Sequence, residues 1–440
     1  SPPAAYSFLG NSRMKSILIK NGRIIDPAQN LDVQGNLLIE AGKITGLCEA
    51  TVTADEIIDA TGLIVSPGFI DLHVSLCEPG FEEDETIESG TAAALAGGVT
   101  SLACLPNTSP VVDDRSSAEF ILLQAGRAAN CNVFPLGAVT KNHEGKELAE
   151  IGQLVAGKAV GFTDADHPIE NAEIMRCALE YTRMFNRPIL NRPQVPELTD
   201  KGQMHEGYYS TVLGLKGIPA AAEAIMVNRD IALAEMTQGR IHLMCISTLN
   251  SVSQIRRAKQ AGIHVTADVT PHHLALTDQM LESYDPNYKV LPPLRSQEHI
   301  DALIEGLKDG TIDAICSDHT PHATEKKSDE ILGADFGIIG LETLLPVCLQ
   351  SLIIPGHLSW SELISKLTCG PAKILGLAKG TLAAGADADI TLINPDIKYI
   401  LEAAHLKSAS QNTPFLGKEL QGRAEIVIVS GEVRYTAEKK

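Results

Sequence analysis

Short apolar runs alternate with helix-like stretches through the middle of the chain. Eight runs rich in apolar or β-branched residues are bounded by turn residues, and they cover 68–76, 99–105, 132–139, 159–163, 188–191, 241–246, 264–269 and 312–316. Helical periodicity follows at 84–96, 170–185, 220–236, 251–260 and 297–308. Eight strands alternating with helices over about 250 residues predict an α/β fold of the (β/α)8 barrel type. The competing open, doubly wound sheet usually has fewer strands.

The two ends of the chain show a different pattern, in which apolar and polar positions alternate as in antiparallel strands. This pattern covers 15–59 and 379–435, with turns at Asn21-Gly22 and Ser430-Gly431. We expect residues 14–65 and 380–440 to form one small β-sandwich domain, flanking a barrel of residues 66–379. Residues 1–13 precede Met14, and we expect them to be a cloning remnant or a disordered tail.

The composition excludes several classes of protein. Lys and Arg number 36 against 55 Asp and Glu, which gives a net charge of −19 and argues against binding to nucleic acid or to an anionic membrane. No run of 18 apolar residues occurs, so no membrane span is expected. The nine cysteines are scattered without a CxxC pair, which is typical of reduced thiols in the cytoplasm.

Polar residues occupy the ends of the predicted strands, where barrels of this type carry their catalytic side chains. In chain order these positions hold His73, Ser75, Asn107, Asp164, Ala165, Asn191, Arg192, Cys245, His272, His273, Asp318, His319 and His322. One buried His or Asp is most simply a satisfied hydrogen-bonding group. Several of them on one rim indicate a functional site, or a former one. We interpret His242 and His264, inside strands, as packing or surface residues.

Longer motifs surround several of these positions: DLHVSLCEPG (71–80), PNTSP (106–110), TPHHLALTD (270–278), SDHTPH (317–322), FGIIGLET (336–343) and GADADITLI (385–393). Together they resemble the dihydroorotase family of the cyclic amidohydrolase superfamily, and most closely its type I, bacterial class. The resemblance covers 15–435. It implies hydrolysis of a cyclic amide with zinc, because zinc lowers the pKa of bound water and polarises the carbonyl group.

Carrying the family's six ligand positions over to this chain shows that four have changed. The two that remain are His73 and Asp318. The altered ligand positions are Ser75, Ala165, Arg192 and Cys245. Ala165 offers nothing to a metal, whereas Cys245 as a thiolate is itself a good zinc ligand.

The positions that the resemblance assigns to the substrate are also mixed. Cys77 stands where the family has the Arg that holds the substrate carboxylate, and Leu291 replaces an Asn. Asn107 and His322 remain. The carboxylate pocket is therefore expected to differ from that of the family.

Arg192 brings a positive charge to a former ligand position, because a guanidinium stays protonated. Without a metal, Asp318 would be an unpaired carboxylate in the barrel mouth, which costs on the order of several kcal/mol. We expect Arg192 to pair with Asp318 through both of its terminal nitrogens, taking over the structural part of the metal's role.

Three interpretations of function follow. The main one is a dihydroorotase-like protein of pyrimidine biosynthesis that lacks catalysis and metal, with Asp318 as a remnant catalytic residue. The resemblance implies that such a protein assembles with aspartate carbamoyltransferase, as a structural or regulatory partner in a homo- or hetero-oligomer. The first alternative is an active hydrolase with a mononuclear zinc site at His73, Cys245 and Asp318. The second is a non-catalytic binder of small molecules that retains Asn107 and His322.

Overall fold

The structure is a computed structural model that describes residues 14–328 and 330–438. The segment expected to be a remnant or tail, 1–13, lies outside the described residues. The strands are β1 (Ile17–Asp26), β2 (Leu31–Glu40), β3 (Lys43–Cys48), β4 (Glu56–Asp59), β5 (Ile64–Pro67), β6 (Phe69–Val74), β7 (Val99–Cys104), β8 (Asn132–Pro135), β9 (Ile189–Asn191), β10 (Met204–His205), β11 (Gly217–Ile218), β12 (Ile241–Leu243), β13 (Val265–Val269), β14 (Ala314–Ile315), β15 (Ile390–Ile400), β16 (Glu419–Val429) and β17 (Glu432–Thr436).

The α-helices lie mostly between the central strands. They are α1 (Ile87–Ala96), α2 (Arg115–Ala128), α3 (Ile151–Ala156), α4 (Ala172–Arg183), α5 (Pro196–Thr199), α6 (Tyr208–Leu213), α7 (Ala221–Thr237), α8 (Leu249–Gln260), α9 (Pro271–Ala275), α10 (Gln297–Lys308), α11 (Thr324–Lys327), α12 (Leu344–Cys348), α13 (Trp360–Leu367) and α14 (Cys369–Leu375). Helix α1 begins later than predicted because the Thr86 side chain caps it by accepting from the Ser89 amide. No helix in the described part of the chain is long and apolar enough to cross a membrane.

The central strands form the predicted barrel. Strands β6, β7 and β8 pair in parallel, as do β9, β12, β13 and β14. The predicted strand at 159–163 is reduced to Phe162, which bridges Gly137 on one side and Ile189 on the other and so joins the two sheets. At the opposite seam the Ser75 amide donates to the His319 carbonyl at 3.0 Å. The (β/α)8 prediction is confirmed.

Both chain ends contribute to a second, eight-stranded sheet. Its order is β17-β16-β15-β5-β1-β2-β3, with β4 beside β1. The two ends meet where β15 pairs antiparallel with β5. This confirms the end domain built from both termini, while its boundaries at 65 and 380 stay predictions. Strand β5 continues to Pro67, and one residue separates it from β6, the first barrel strand.

Aliphatic side chains fill the barrel, as the scarcity of aromatic residues requires. The interior carries buried side chains from successive strands, among them Leu72, Ala103, Leu136, Leu190 and Ala314. A larger layer between strands and helices is also mainly Leu, Ile, Val and Ala. The barrel is therefore a packed core, and its polar side chains gather at the carboxyl ends of the strands.

Candidate active site

Arg192 and Asp318 meet at the barrel mouth. Arg192 directly follows β9, and its Nη2 donates to Oδ1 of Asp318 at 2.6 Å, while its Nη1 donates to the Leu291 carbonyl at 2.6 Å. The two side chains are 7% and 6% exposed. Burial opposes the ionisation of Asp318, but Arg192 and His73 outweigh it and hold the carboxyl pKa well below its usual range. The predicted ion pair is confirmed, but as a single contact and not through both terminal nitrogens.

His73, on β6, lies between two carboxylates. Its Nε2 donates to Asp268 Oδ2 at 2.8 Å, and its Nδ1 lies 3.4 Å from Asp318 Oδ1 without making a hydrogen bond. Burial disfavours the imidazolium form, but the adjacent Asp268 carboxylate outweighs it and raises the pKa of His73 well above its usual value. As long as no metal is bound, the neighbouring carboxylates therefore favour the protonated form of the ring.

Asp268, on β13, accepts hydrogen bonds from several buried groups behind the barrel mouth. Its Oδ2 also accepts from His242 Nε2 at 2.8 Å, and its Oδ1 accepts from the Cys245 amide at 2.8 Å. Thr266 donates in turn to His242 Nδ1 at 2.9 Å. Asp268 was not among the expected site residues, and His242 was expected to be a packing or surface residue. A carboxylate next to the end of a buried barrel strand was the available signal.

Cys245 brings a thiol beside this network. Its Sγ lies 4.0 Å from His73 Nε2. Burial, together with Asp318, raises the pKa of the thiol to about 12, so it is protonated at neutral pH. One potential ligand atom each from His73, Cys245 and Asp318 lies within 4.8 Å of the others, and His73, Asp268 and Cys316 form a second such group.

The first of these groups suits zinc. Catalytic zinc sites use three N, S or O ligands from the protein and leave one position open. The buried Nδ1 of His73 has no hydrogen-bond partner, so it is available to a metal. Tetrahedral ligands lie roughly 3.3–3.8 Å apart, so these three side chains, within 4.8 Å of one another, would move closer together around an ion. The Arg192 guanidinium would compete with a metal for Asp318.

Backbone conformation supports a site that the fold maintains. Ala165, Cys245 and Asp318 have φ angles of 51°, 52° and 50°, values that residues other than glycine adopt infrequently. Such strain persists only where the surroundings enforce it, and it concentrates at active sites. The same backbone conformation therefore occurs at three strand ends of the mouth, including the one at which Ala165 has no ligand to offer.

The remaining altered ligand positions have local roles. The Asn107 amide donates to Ser75 Oγ at 3.3 Å, and Asn107 Oδ1 has no partner. Ala165 is buried. Asp164 accepts from the amides of Val139 and Thr140, so it braces a neighbouring loop and cannot stand in for a bridging ligand.

The substrate positions retain polar atoms but not a cation at position 77. His322 Nε2 donates to the Phe336 carbonyl at 2.8 Å, and its buried Nδ1 has no partner. Burial lowers the pKa of His322, so this Nδ1 is a hydrogen-bond acceptor. Cys77 is a buried thiol, and Leu291 contributes its carbonyl to Arg192.

Comparison with known proteins gives consistent results. Residues 62–251 match the dihydro-orotase-like family and residues 217–435 match the amidohydrolase family. The dihydroorotase of Pelobacter propionicus is 46% identical over 96% of this chain and 99% of its own length. That of Pelotomaculum thermopropionicum is 47% identical over 95% and 98%. The L-hydantoinase (dihydropyrimidinase) of Arthrobacter aurescens has a TM-score of 0.86 at 26% identity, covering 96% of both chains.

These relatives correct two expectations. The interpretation as a protein without catalysis is wrong, because dihydroorotases at 45–47% identity over nearly the full length point to an active hydrolase. The expectation of no cofactor is wrong for the same reason: the amidohydrolase relatives imply a metal, and His73, Cys245 and Asp318 form a group that can hold one. Over 422 aligned residues and through the motifs at its strand ends, the chain belongs to the dihydroorotase family.

Proposed function

We propose that the chain is a zinc-dependent hydrolase that opens a cyclic amide of the dihydroorotate type. His73, Cys245 and Asp318 would hold one metal ion. The observation that carries this proposal is the convergence of these three buried side chains to within 4.8 Å at the barrel mouth. The full-length similarity to dihydroorotases supports the reaction class.

Zinc at this position would supply a nucleophile from water at neutral pH and polarise the carbonyl of the scissile amide. Other residues of the chain hold the proposed ligands in position. Asp268 accepts from His73 Nε2, which orients the ring and leaves Nδ1 to the metal. The same carboxylate anchors the Cys245 backbone. Carboxylates behind a metal-bound His serve this purpose in many zinc sites.

The substrate would be held mainly by uncharged groups. Position 77 provides a thiol in place of a guanidinium, whereas Asn107 Oδ1 has no hydrogen-bond partner and would suit an N–H group of a cyclic ureide. This favours a second substrate class, the uncharged hydantoins and dihydropyrimidines. The similarity to an L-hydantoinase (dihydropyrimidinase) supports it. We expect measurable kcat/KM for hydantoin or dihydrouracil beside dihydroorotate, in ring-opening assays of all three on one preparation.

Cysteine replacement tests the proposed metal site. We expect Cys245→Ser to lose bound zinc and to lower ring-opening kcat by about 100-fold or more, because it removes a direct ligand. Cys177→Ser, at a half-buried cysteine on α4, is the matched control and should leave both unchanged. Full turnover in Cys245→Ser would contradict the proposal.

Zinc affinity should rise with pH. In the metal-free chain both His73 and Cys245 carry protons at neutral pH, since their pKa values are raised. Each must release a proton to bind zinc, so the apparent association constant should grow by up to about 100-fold per pH unit below both pKa values. Titration against a competing chelator from about pH 6 to 8 measures this slope. A flat profile would mean that neither group ligates.

Two further expectations stay predictions. The resemblance implies assembly with aspartate carbamoyltransferase, in a homo- or hetero-oligomer, and co-elution of the two purified proteins on a sizing column would test it. A cytoplasmic location is supported by the nine free thiols, which persist in a reducing compartment.

A further inference from the structure

The Arg192 guanidinium contacts the same oxygen that faces His73. Its Nη2 lies 2.6 Å from Asp318 Oδ1, and this oxygen lies 3.4 Å from His73 Nδ1. A metal shared by His73 and Asp318 would need the same carboxylate. Because Arg is permanently protonated, the guanidinium keeps its positive charge at every pH at which the protein is folded.

A second carboxylate, that of Asp166, lies near the guanidinium. Arg192 Nη1 lies 3.5 Å from Asp166 Oδ1, and the Asp166 side chain is 44% exposed, whereas Asp318 is buried. Asp166 therefore marks a position nearer to solvent, where the guanidinium keeps a partner after it leaves Asp318. The Leu291 carbonyl, 2.6 Å from Nη1, anchors the end of the side chain between the two.

We propose that Arg192 is a tethered cation that occupies the metal's place on Asp318, yields it to zinc and then pairs with Asp166. The competition with zinc rests on the proposed function. This exchange of partners by Arg192 has two consequences. The barrel mouth keeps its charges paired without metal, so folding does not depend on zinc, and zinc binds less tightly than the three ligands alone would allow.

Two variants should shift zinc affinity in opposite directions. Arg192→Gln removes the competitor and is expected to tighten zinc binding by about 10- to 100-fold, the range typical of residues that act on a ligand from behind. Asp166→Asn removes the partner that receives the displaced guanidinium and should weaken binding by roughly 3- to 10-fold. Arg176→Gln is the matched control, because Arg176 pairs with Glu173 and Glu180 on the outer face of α4.

Thermal unfolding gives a readout that is independent of activity. Without metal, the melting temperature of Arg192→Gln should lie below that of the wild type, because Asp318 then keeps only His73 beside it. Zinc should restore it. Arg192→Lys retains the charge without the planar fork, so it should fold without metal and bind zinc with intermediate affinity. Arg192→Lys also tests the competition with zinc if Arg192→Gln does not fold.

The outcomes separate this inference from the proposed function. Tight zinc binding by the wild type with no gain in Arg192→Gln would overturn the inference and leave the function standing. Zinc binding by Arg192→Gln alone would support the inference and contradict a zinc-dependent wild type. Absence of zinc from both proteins would overturn both. Equal metal-free stability of the wild type and Arg192→Gln would also overturn the inference.

Discussion

Replacing Asp318 by Asn is expected to abolish ring opening and to lower the free energy of unfolding by about 3–5 kcal/mol. The carboxylate serves two groups at once, since it accepts from Arg192 and faces His73 Nδ1. Without it Arg192 stays buried and loses its strongest partner, which is the costly way to break a buried pair. Urea denaturation and zinc content measured on the same variant would show both losses.

A matched replacement separates burial from charge. Asp309→Asn breaks the pair with Arg256, in which both side chains are more than a third exposed, and should cost no more than about 1 kcal/mol. The double variant Asp318→Asn/Arg192→Gln should recover much of the stability but none of the activity, because both members of the buried pair are then neutral. An unfolding free energy in Asp318→Asn equal to that of the wild type would show that the buried pair does not stabilise the fold.

Asp268→Asn is expected to have the second largest effect. Asp268 Oδ2 accepts from both His73 and His242, and Oδ1 accepts from the Cys245 amide. An amide offers one acceptor oxygen and an NH2 group that faces donors, so either the two buried histidines or the Cys245 amide loses its acceptor. We expect a loss of about 3–5 kcal/mol in unfolding free energy and zinc affinity lower by about 10- to 100-fold.

The control for this variant is Asp301→Asn, on the exposed face of α10, where the carboxylate bonds only to Gln297 among the described contacts. Its stability should stay within about 0.5 kcal/mol of the wild type. Unchanged zinc affinity in Asp268→Asn would show that Asp268 braces the fold without tuning the ligands.

Much of the fold follows from periodicity. Alternating apolar runs and helical stretches predicted the barrel, and alternation at the ends predicted the shared sheet. The predicted strand at 159–163 reduces to Phe162 alone, because pairing there depends on how the two neighbouring sheets approach each other. That is a property of barrel closure, which no local pattern encodes.

The site contact that follows from charge could be predicted from the sequence. The contacts that depend on the spatial arrangement of the strands could not. Arg192 and Asp318 were expected to pair, since neither charge can stay alone in a buried mouth, and they do. Asp268 was missed because its contact with His242 depends on the parallel register of β12 and β13, which sets His242 opposite Thr266. The changed ligands led to a prediction of lost catalysis and metal, which was wrong. Residue identities alone do not give the distances that bring Cys245 beside His73 and Asp318.

The most direct measurement is zinc content determined together with dihydroorotate turnover on one purified sample. We expect about one zinc per chain after loading, with turnover that disappears on chelation and returns when zinc is restored. A chain that takes up no zinc and opens no ring after loading would contradict it, as would turnover that survives complete removal of the metal.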